Sequence, residues 1–177
     1  MAYSFDPDVY EPDVGREQRV DFWTDVLLAA FQAVPSARMV GGANGYLDRL
    51  LHEAVWGVTV PVHTDASKYF WQRYLSEEVE KKFRQACSLK RLNQKAVVEG
   101  LRHEHVIEVN KLMGHLRTAA PNGRSALRTV LATAVACVVT DEEHTSLGKA
   151  RVDGWERYKK TGVRVWDRSR RGWCAMP

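Results

Sequence analysis

The sequence predicts an α+β fold: a mainly helical single domain that carries a small sheet of two to four strands. The first supporting observation is composition, since 177 residues with 45% apolar and 27% charged side chains suit one domain with its own core. The second is that apolar residues recur at helical spacing through most segments. The third is a set of three short runs with strand character, at residues 100–108, 136–140 and 163–167.

The amino-terminal segment differs from the rest of the chain. Residues 1–15 combine prolines with acidic residues and predict an extended acidic arm, followed by one globular domain over residues 16–177. Inside that domain Val20, Trp23 and Leu27 recur at helical spacing, which predicts an amphipathic first helix. We expect its apolar face to form part of the core.

A second helix is predicted over residues 46–56, with Gly57 at its end. The β-branched run at residues 58–62 then predicts a short strand or an extended linker. Asp65 is placed to cap a long third helix, in which an aromatic and aliphatic stripe keeps helical spacing. A break in this helix near Ser76 is the alternative.

Clearer boundary signals lie in the carboxyl-terminal part of the chain. Thr140 and Glu143 have the spacing of a capping box, which predicts a helix directly after the strand at 136–140. Gly162 is expected to end the next short helix. The alternating run at 163–167 predicts an edge strand that precedes a basic tail.

Cysteine usage and hydropathy favour a cytoplasmic protein. Cys87, Cys137 and Cys174 are an odd number without a CxxC pair, which argues against a disulfide framework and suits a reducing compartment. No apolar run approaches the roughly 18 to 20 residues that span a bilayer, and the first residues are acidic. We therefore expect neither an export signal nor a membrane partner.

Charge is distributed unevenly along the chain. Residues 1–65 hold ten acidic and four basic residues, a net −6, whereas residues 66–177 hold twelve acidic and 22 basic residues, a net +10. The basic part suits a polyanion such as nucleic acid, and the acidic amino-terminal part suits a basic protein partner or screens the basic part. The alternative is that these charges only form a solvated surface.

Three of the six histidines fall where they can converge. His103 and His105 are two residues apart in a predicted strand and therefore share a face, with Glu104 pointing away. His144 falls in the first turn of the capped helix, within reach of a neighbouring strand. Such imidazoles suit a metal ion, or a general base with an orienting partner. The alternative is that the histidines are hydrogen-bonded in or near the core and bind no metal.

The segment between residues 100 and 150 resembles the HNH, or ββα-metal, nuclease family. The resembling features are the pair Glu104-His105, followed by two aliphatic residues, and a strand-to-helix step that ends in His144 and Lys149. The resemblance implies a nuclease that uses one divalent cation, Mg²⁺ or Mn²⁺ with Zn²⁺ as an alternative.

The resemblance also implies roles for individual residues. His105 looks like the general base that activates water. His103, which the strand spacing places on the same face, is a second catalytic candidate. Glu104 and His144 are the metal ligands. Asn122, or otherwise Asn110, takes the position of the family's central asparagine.

The carboxyl-terminal segment supplies candidate contacts to nucleic acid. Aromatic residues alternate there with basic ones, an arrangement that pairs stacking on bases with phosphate contacts. The candidate phosphate-binding residues are Lys159, Lys160, Arg164, Arg168, Arg170 and Arg171.

Two classes of function follow from these features. The first is a metal-dependent, HNH-like nuclease or phosphodiesterase that acts on nucleic acid. The second is a non-catalytic binding module, such as a phage or mobile-element protein that inhibits a nucleic-acid machine through its charged surfaces. The sequence leaves open whether the chain is an enzyme and whether its partner is DNA, RNA or protein.

Overall fold

The computed structural model describes residue 13 and residues 15–33, 45–60, 67–87 and 94–174. Apart from Asp13 and Gly15, the predicted acidic arm lies outside these residues, and so does Asp65, the expected helix cap. The described chain combines helices with a small sheet, which confirms the predicted α+β class.

The chain divides into two compact units. The helical unit comprises residues 14–60 and 107–135, and the sheet unit comprises residues 1–13, 61–106 and 136–177. The described helices are α1 (Arg16–Ala33), α2 (Tyr46–Thr59), α3 (Ser67–Phe70), α4 (Glu77–Cys87), α5 (Gln94–Val98), α6 (Val109–Ala119), α7 (Gly123–Ala132), α8 (Asp141–Gly148) and α9 (Trp155–Thr161), with a 3-10 helix at Ala120–Asn122. The described strands are β1 (Tyr74–Ser76), β2 (Leu101–His105), β3 (Ala136–Thr140), β4 (Val165–Asp167) and β5 (Gly172–Trp173). None of the helices in these ranges is long and apolar enough to cross a membrane.

The helical unit is built from α1, α2, α6 and α7, whose apolar faces share one core. The periodicity predicted for α1 is confirmed, because Val20 and Leu27 are fully buried and Trp23 packs against the same core. Leu51 of α2 and Leu116 of α6 are buried there as well. Full burial of side chains of this size contributes roughly 1.5–3 kcal/mol each, so apolar contact is the main source of stability in this unit.

The predicted end of α2 at Gly57 is wrong. The helix continues to Thr59, so Val58 and Thr59 are helical rather than extended. Gly57 has a different role, because Trp23 lies directly over it and a Cβ at this position would fall 2.0 Å from the Trp23 Nε1 atom. The glycine permits a close approach of α1 to α2 and does not end the helix.

In the described part of the sheet unit, five strands form one mixed sheet in the order β2-β3-β1-β4-β5. β1 runs parallel to β3, and the other neighbouring pairs are antiparallel. The register places Glu104 beside Cys137, Cys137 beside Tyr74, and Tyr74 beside Asp167. These four residues form a polar row across one face of the sheet, since directly paired residues share a face.

The two faces of the sheet are covered by different helices. On one face, Leu75, Leu101 and Val138 pack with Val79 and Phe83 of α4 in an apolar cluster. The polar row lies on the other face, where α8 and α9 contact the sheet. The α4 side of the sheet is therefore mainly apolar, and the side under α8 and α9 carries the polar row.

The sheet is larger than the sequence predicts. Tyr74–Ser76 is a strand rather than part of a long helix, because Leu75 and Ser76 are buried between β3 and β4. β4 is not an edge strand, since Gly172–Trp173 pairs with it and forms the edge among the described strands. Strands of two or three residues are too short to leave a periodic pattern in a sequence.

Two predicted helix boundaries are confirmed. The Thr140 hydroxyl accepts a hydrogen bond from the Glu143 backbone N–H, and the Glu143 carboxylate accepts one from the Thr140 N–H, which completes the capping box of α8. Glu143 also accepts a hydrogen bond from the Ser76 hydroxyl at 2.6 Å. The Glu143 contacts thereby fix the first turn of α8 to β1 and β3. The second confirmed boundary is Gly162, which follows α9 in the left-handed conformation with φ of 73°.

Gly57→Ala is expected to lower the free energy of unfolding by about 1–3 kcal/mol, because the new Cβ overlaps the Trp23 ring. Gly114→Ala in α6 is the matched control, since a Cβ there meets nothing within 4 Å. We expect the control to stabilise the protein by about 0.5–1 kcal/mol. Urea denaturation of both full-length variants measures the difference, and equal effects would contradict the close approach of the two helices.

Candidate functional site

Glu104 is the centre of the candidate site. It lies on β2 with its side chain on the face that α8 and α9 cover, and it is only 9% exposed. A carboxylate this far from water requires a cation and hydrogen-bond donors. Both of its oxygen atoms have such partners, which are Arg157 and His144.

Arg157 fixes the first carboxylate oxygen. Its side chain extends from α9 into the protein and is 2% exposed. The Nη2 group donates to Glu104 Oε1 at 2.6 Å and to the backbone carbonyl of His105 at 2.5 Å, and it lies 3.3 Å from that of Val106. One buried guanidinium thus holds the Glu104 side chain and the end of β2 in place.

His144 contacts the second oxygen of the Glu104 carboxylate. It belongs to α8, and its Nδ1 atom is 2.6 Å from Glu104 Oε2. The capping box of Thr140 and Glu143 sets the start of this helix, so the imidazole position follows from a local sequence signal. Unlike Glu104, the His144 side chain is half exposed, at 51%.

The hydrogen bond to Glu104 determines which nitrogen of a neutral His144 ring carries the hydrogen. Ionised Glu104 can only accept, so His144 Nδ1 carries the hydrogen and Nε2 is left as an acceptor. Among the described residues, none forms a hydrogen bond with Nε2. The site therefore presents an oriented, water-accessible imidazole nitrogen, which is the arrangement of a general acid–base group with an orienting carboxylate.

Cys137 and Tyr158 lie beneath this pair. Both are completely buried, and burial raises the pKa of the Cys137 thiol and of the Tyr158 hydroxyl well above their ordinary values. The thiol is therefore protonated at neutral pH, and the protonated form is a poor nucleophile. The two groups serve as the packed floor of the site.

The other predicted histidines lie on the opposite face of the sheet. His103 and His105 do point the same way, as their spacing predicts, with ring centroids 5.1 Å apart. That face is the one with the apolar cluster, and His105 is 5% exposed. The sheet thus separates His105, the base that the HNH resemblance implies, from His144 and Glu104.

Asn122, the predicted third catalytic residue, lies at the end of the 3-10 helix and precedes α7 in the helical unit. Its side chain is exposed, and its Nδ2 atom is 3.5 Å from the carbonyl of Thr118. Asn110, the alternative, is also exposed and belongs to α6 of the same unit.

The described side chains do not fit the predicted metal centre. Glu104 and His144 supply two donors at most, and they hydrogen-bond each other while the remaining Glu104 oxygen accepts from Arg157. No group of three or more His, Cys, Asp or Glu side chains in the described ranges is placed to hold a metal ion. The divalent cation stays a prediction.

The predicted phosphate-binding residues differ in exposure. Residues 157–174 contain seven basic residues and one acidic residue. Within this segment the exposed basic residues are Lys159, Lys160, Arg164, Arg170 and Arg171. Arg168 does not belong with them, because it is 4% exposed and donates hydrogen bonds to the carbonyls of Phe70 and Gln72.

The acidic residue in this segment, Asp167, is buried and anchors the turn between β4 and β5. Arg73 donates two hydrogen bonds to its carboxylate, at 2.9 and 2.7 Å, and Ser169 donates two more. Burial acts to raise the pKa of Asp167, but the hydrogen bonds and the Arg73 charge outweigh it and the net pKa is lowered. Asp167 is therefore ionised at neutral pH but hidden, so the exposed side chains of this segment are basic.

The sequence does not point to Arg157 as part of the site. The one signal for a buried cation is Glu104 itself, because a strand of a packed sheet is at least half buried and a buried carboxylate needs a cation. With 26 Lys and Arg residues in the chain, spacing gives no indication of which cation it is.

No protein-family model, curated protein or solved structure matches the chain significantly.

Arg157→Met is expected to lower the free energy of unfolding by about 3–5 kcal/mol, because it leaves the Glu104 carboxylate buried without a cation. Lys160→Met on the same helix is the control and should change stability by less than about 0.5 kcal/mol, since Lys160 is exposed. Urea denaturation is the measurement. Similar midpoints for Arg157→Met and the unmodified chain would show that the guanidinium does not fix Glu104.

Proposed function

We propose that this chain hydrolyses phosphodiester bonds in nucleic acid, with His144 as the acid–base group and Glu104 as its positioning residue. The observation that carries the proposal is the 2.6 Å contact between His144 Nδ1 and a carboxylate that buried Arg157 holds in place. This activity is the one that the HNH resemblance implies, but the base is His144 instead of His105.

The chemistry requires one proton transfer at the exposed nitrogen. His144 Nε2 takes a proton from a water molecule as the water oxygen forms a bond to phosphorus. The bond from phosphorus to the leaving oxygen breaks, and that oxygen is protonated by solvent. Glu104 stabilises the imidazolium that forms, because its carboxylate accepts the Nδ1 hydrogen throughout.

The exposed basic segment supports nucleic acid as the substrate class. Five exposed basic side chains between residues 157 and 174 face solvent without an exposed acid among them. A local positive field of this kind attracts polyanions and raises their association rate. The helix that holds Arg157 also carries Lys159 and Lys160, so the substrate surface and the acid–base site share α9.

Cleavage of fluorescently labelled DNA and RNA oligonucleotides, single-stranded and duplex, tests the proposal with Mg²⁺, with Mn²⁺ and with EDTA. His144→Gln is expected to lower the cleavage rate by about 10²-fold or more, because a positioned acid–base group contributes about 10²- to 10⁴-fold. Glu104→Gln should lower the rate as well, since the imidazole loses its charged partner. His115→Gln, at an exposed histidine of α6, is the matched control and should cleave at the unmodified rate.

The same assay separates the alternatives. Loss of cleavage in His105→Gln with full activity in His144→Gln would return the base to His105 and overturn the assignment. Dependence on Mg²⁺ or Mn²⁺ would support the metal that the resemblance implies. If the folded, unmodified chain cleaves none of the substrates under any condition, the hydrolase proposal is refuted.

The exposed basic segment also favours a second function, non-catalytic binding of nucleic acid. Arg170→Glu combined with Arg171→Glu is expected to weaken duplex binding and to reduce the slope of log affinity against log salt by about 2, because each phosphate contact contributes roughly 0.9. Lys95→Glu, at an exposed residue of α5, is the control. Fluorescence anisotropy at several salt concentrations measures both variants, and an unchanged slope in the double variant would exclude this surface.

A further inference from the structure

β4 and β5 carry two tryptophans that are paired across the strands. Trp166 and Trp173 face each other in register, with ring centroids 5.1 Å apart and ring planes at 76°. The Arg164 guanidinium lies over the Trp173 ring, 4.3 Å from its centroid, and Arg84 of α4 lies 5.8 Å from that of Trp166. We call Arg164, Trp173, Trp166 and Arg84 the stacking ladder.

Trp173 is unusually exposed for its size. It is 40% exposed on a two-residue edge strand, and only two other large apolar side chains among the described residues are exposed, Phe22 and Tyr46. Large aromatic side chains normally bury most of their surface. The ladder therefore presents an indole ring and a guanidinium side by side at the edge of the sheet.

The electrostatics of the ladder favour an anionic ligand. Arg164 pairs with Glu77 and Arg84 pairs with Glu80, but the carboxylates are the more buried partners. The Arg164 side chain is 56% exposed, against 26% for Glu77. The outer surface of the ladder is therefore formed by guanidinium groups and an indole.

We propose that the stacking ladder binds unpaired bases of a single-stranded nucleic acid. A base stacks on Trp173, and Arg164 contacts a phosphate that flanks it, since stacking combined with basic contacts is the usual mode of single-strand binding. A base inside a duplex has both faces covered by its neighbours and is not available to the indole. The ladder thus selects single-stranded over double-stranded nucleic acid.

The inference shares the ligand class of the proposed function but does not need its chemistry. The ladder lies on the sheet face opposite Glu104, as the pairing of Leu75 with Trp166 and of Tyr74 with Asp167 shows. Binding is therefore measured in EDTA on a His144→Gln background, where cleavage does not interfere. Failure of cleavage and failure of ladder binding are then separate results.

The test compares a labelled twelve-nucleotide thymidine oligonucleotide with a duplex of the same length, by fluorescence anisotropy and tryptophan quenching. Trp173→Leu is expected to weaken single-strand binding about tenfold, because one base–aromatic stack is lost. Trp173→Phe should retain most of the affinity, and Phe22→Leu, an exposed aromatic of α1, is the matched control. Duplex binding should not change in Trp173→Leu.

A second variant keeps the test independent of the fold of β5. Arg164→Gln leaves both tryptophans in place and should reduce the salt slope of single-strand binding by about 0.7, the contribution of one phosphate. An oligonucleotide with abasic sites should bind the unmodified chain and Trp173→Leu equally. Unchanged affinity in Trp173→Leu with native circular dichroism, or an equal loss for duplex, would overturn the inference.

Discussion

The buried ion pair of Arg157 and Glu104 is the constraint on which the rest of the site depends. Neither charge is tolerated alone in this environment, so the folded state must bring α9 and β2 together. A pair of this kind contributes little net stability compared with apolar side chains, because both ions lose their hydration. Its contribution is positional: it orients the Glu104 carboxylate, and the carboxylate orients His144.

Strand alternation decides which titratable groups can act together. Adjacent residues in a strand point to opposite faces, so Glu104 and His105 cannot serve one site while β2 stays regular. The HNH resemblance depends on that adjacent pair, whereas the structure joins Glu104 to a histidine 40 residues later in the chain. The candidate site is therefore formed by β2, α8 and α9, and not by one local motif.

The sequence predicts the parts of the fold whose signals are local and repeated. The long apolar stripe of α1 and the capping box at Thr140 depend on contacts within a few residues, and both predictions are confirmed. The predicted helix end at Gly57 is wrong because the glycine is required by the Trp23 ring of another helix, a contact that the local sequence does not show. Strand β1 is missed since its burial arises from its neighbours in the sheet. Among the site residues, the sequence indicates Glu104 and His144 but not Arg157. An ion pair between residues far apart in the chain has no characteristic spacing that a sequence could show.

The charge count of the carboxyl-terminal segment overstates its binding capacity. Arg157 and Arg168 are structural cations with buried partners, and only the remaining basic side chains face solvent. Glu104 on β2 and the stacking ladder on β4 and β5 lie near opposite edges of the described sheet. β5 is four strand spacings from β2, or about 19 Å at roughly 4.8 Å each. A mononucleotide cannot span that distance. The ladder and Glu104 also lie on opposite faces of the sheet, so a ligand that contacts both must be a polymer long enough to pass around the sheet.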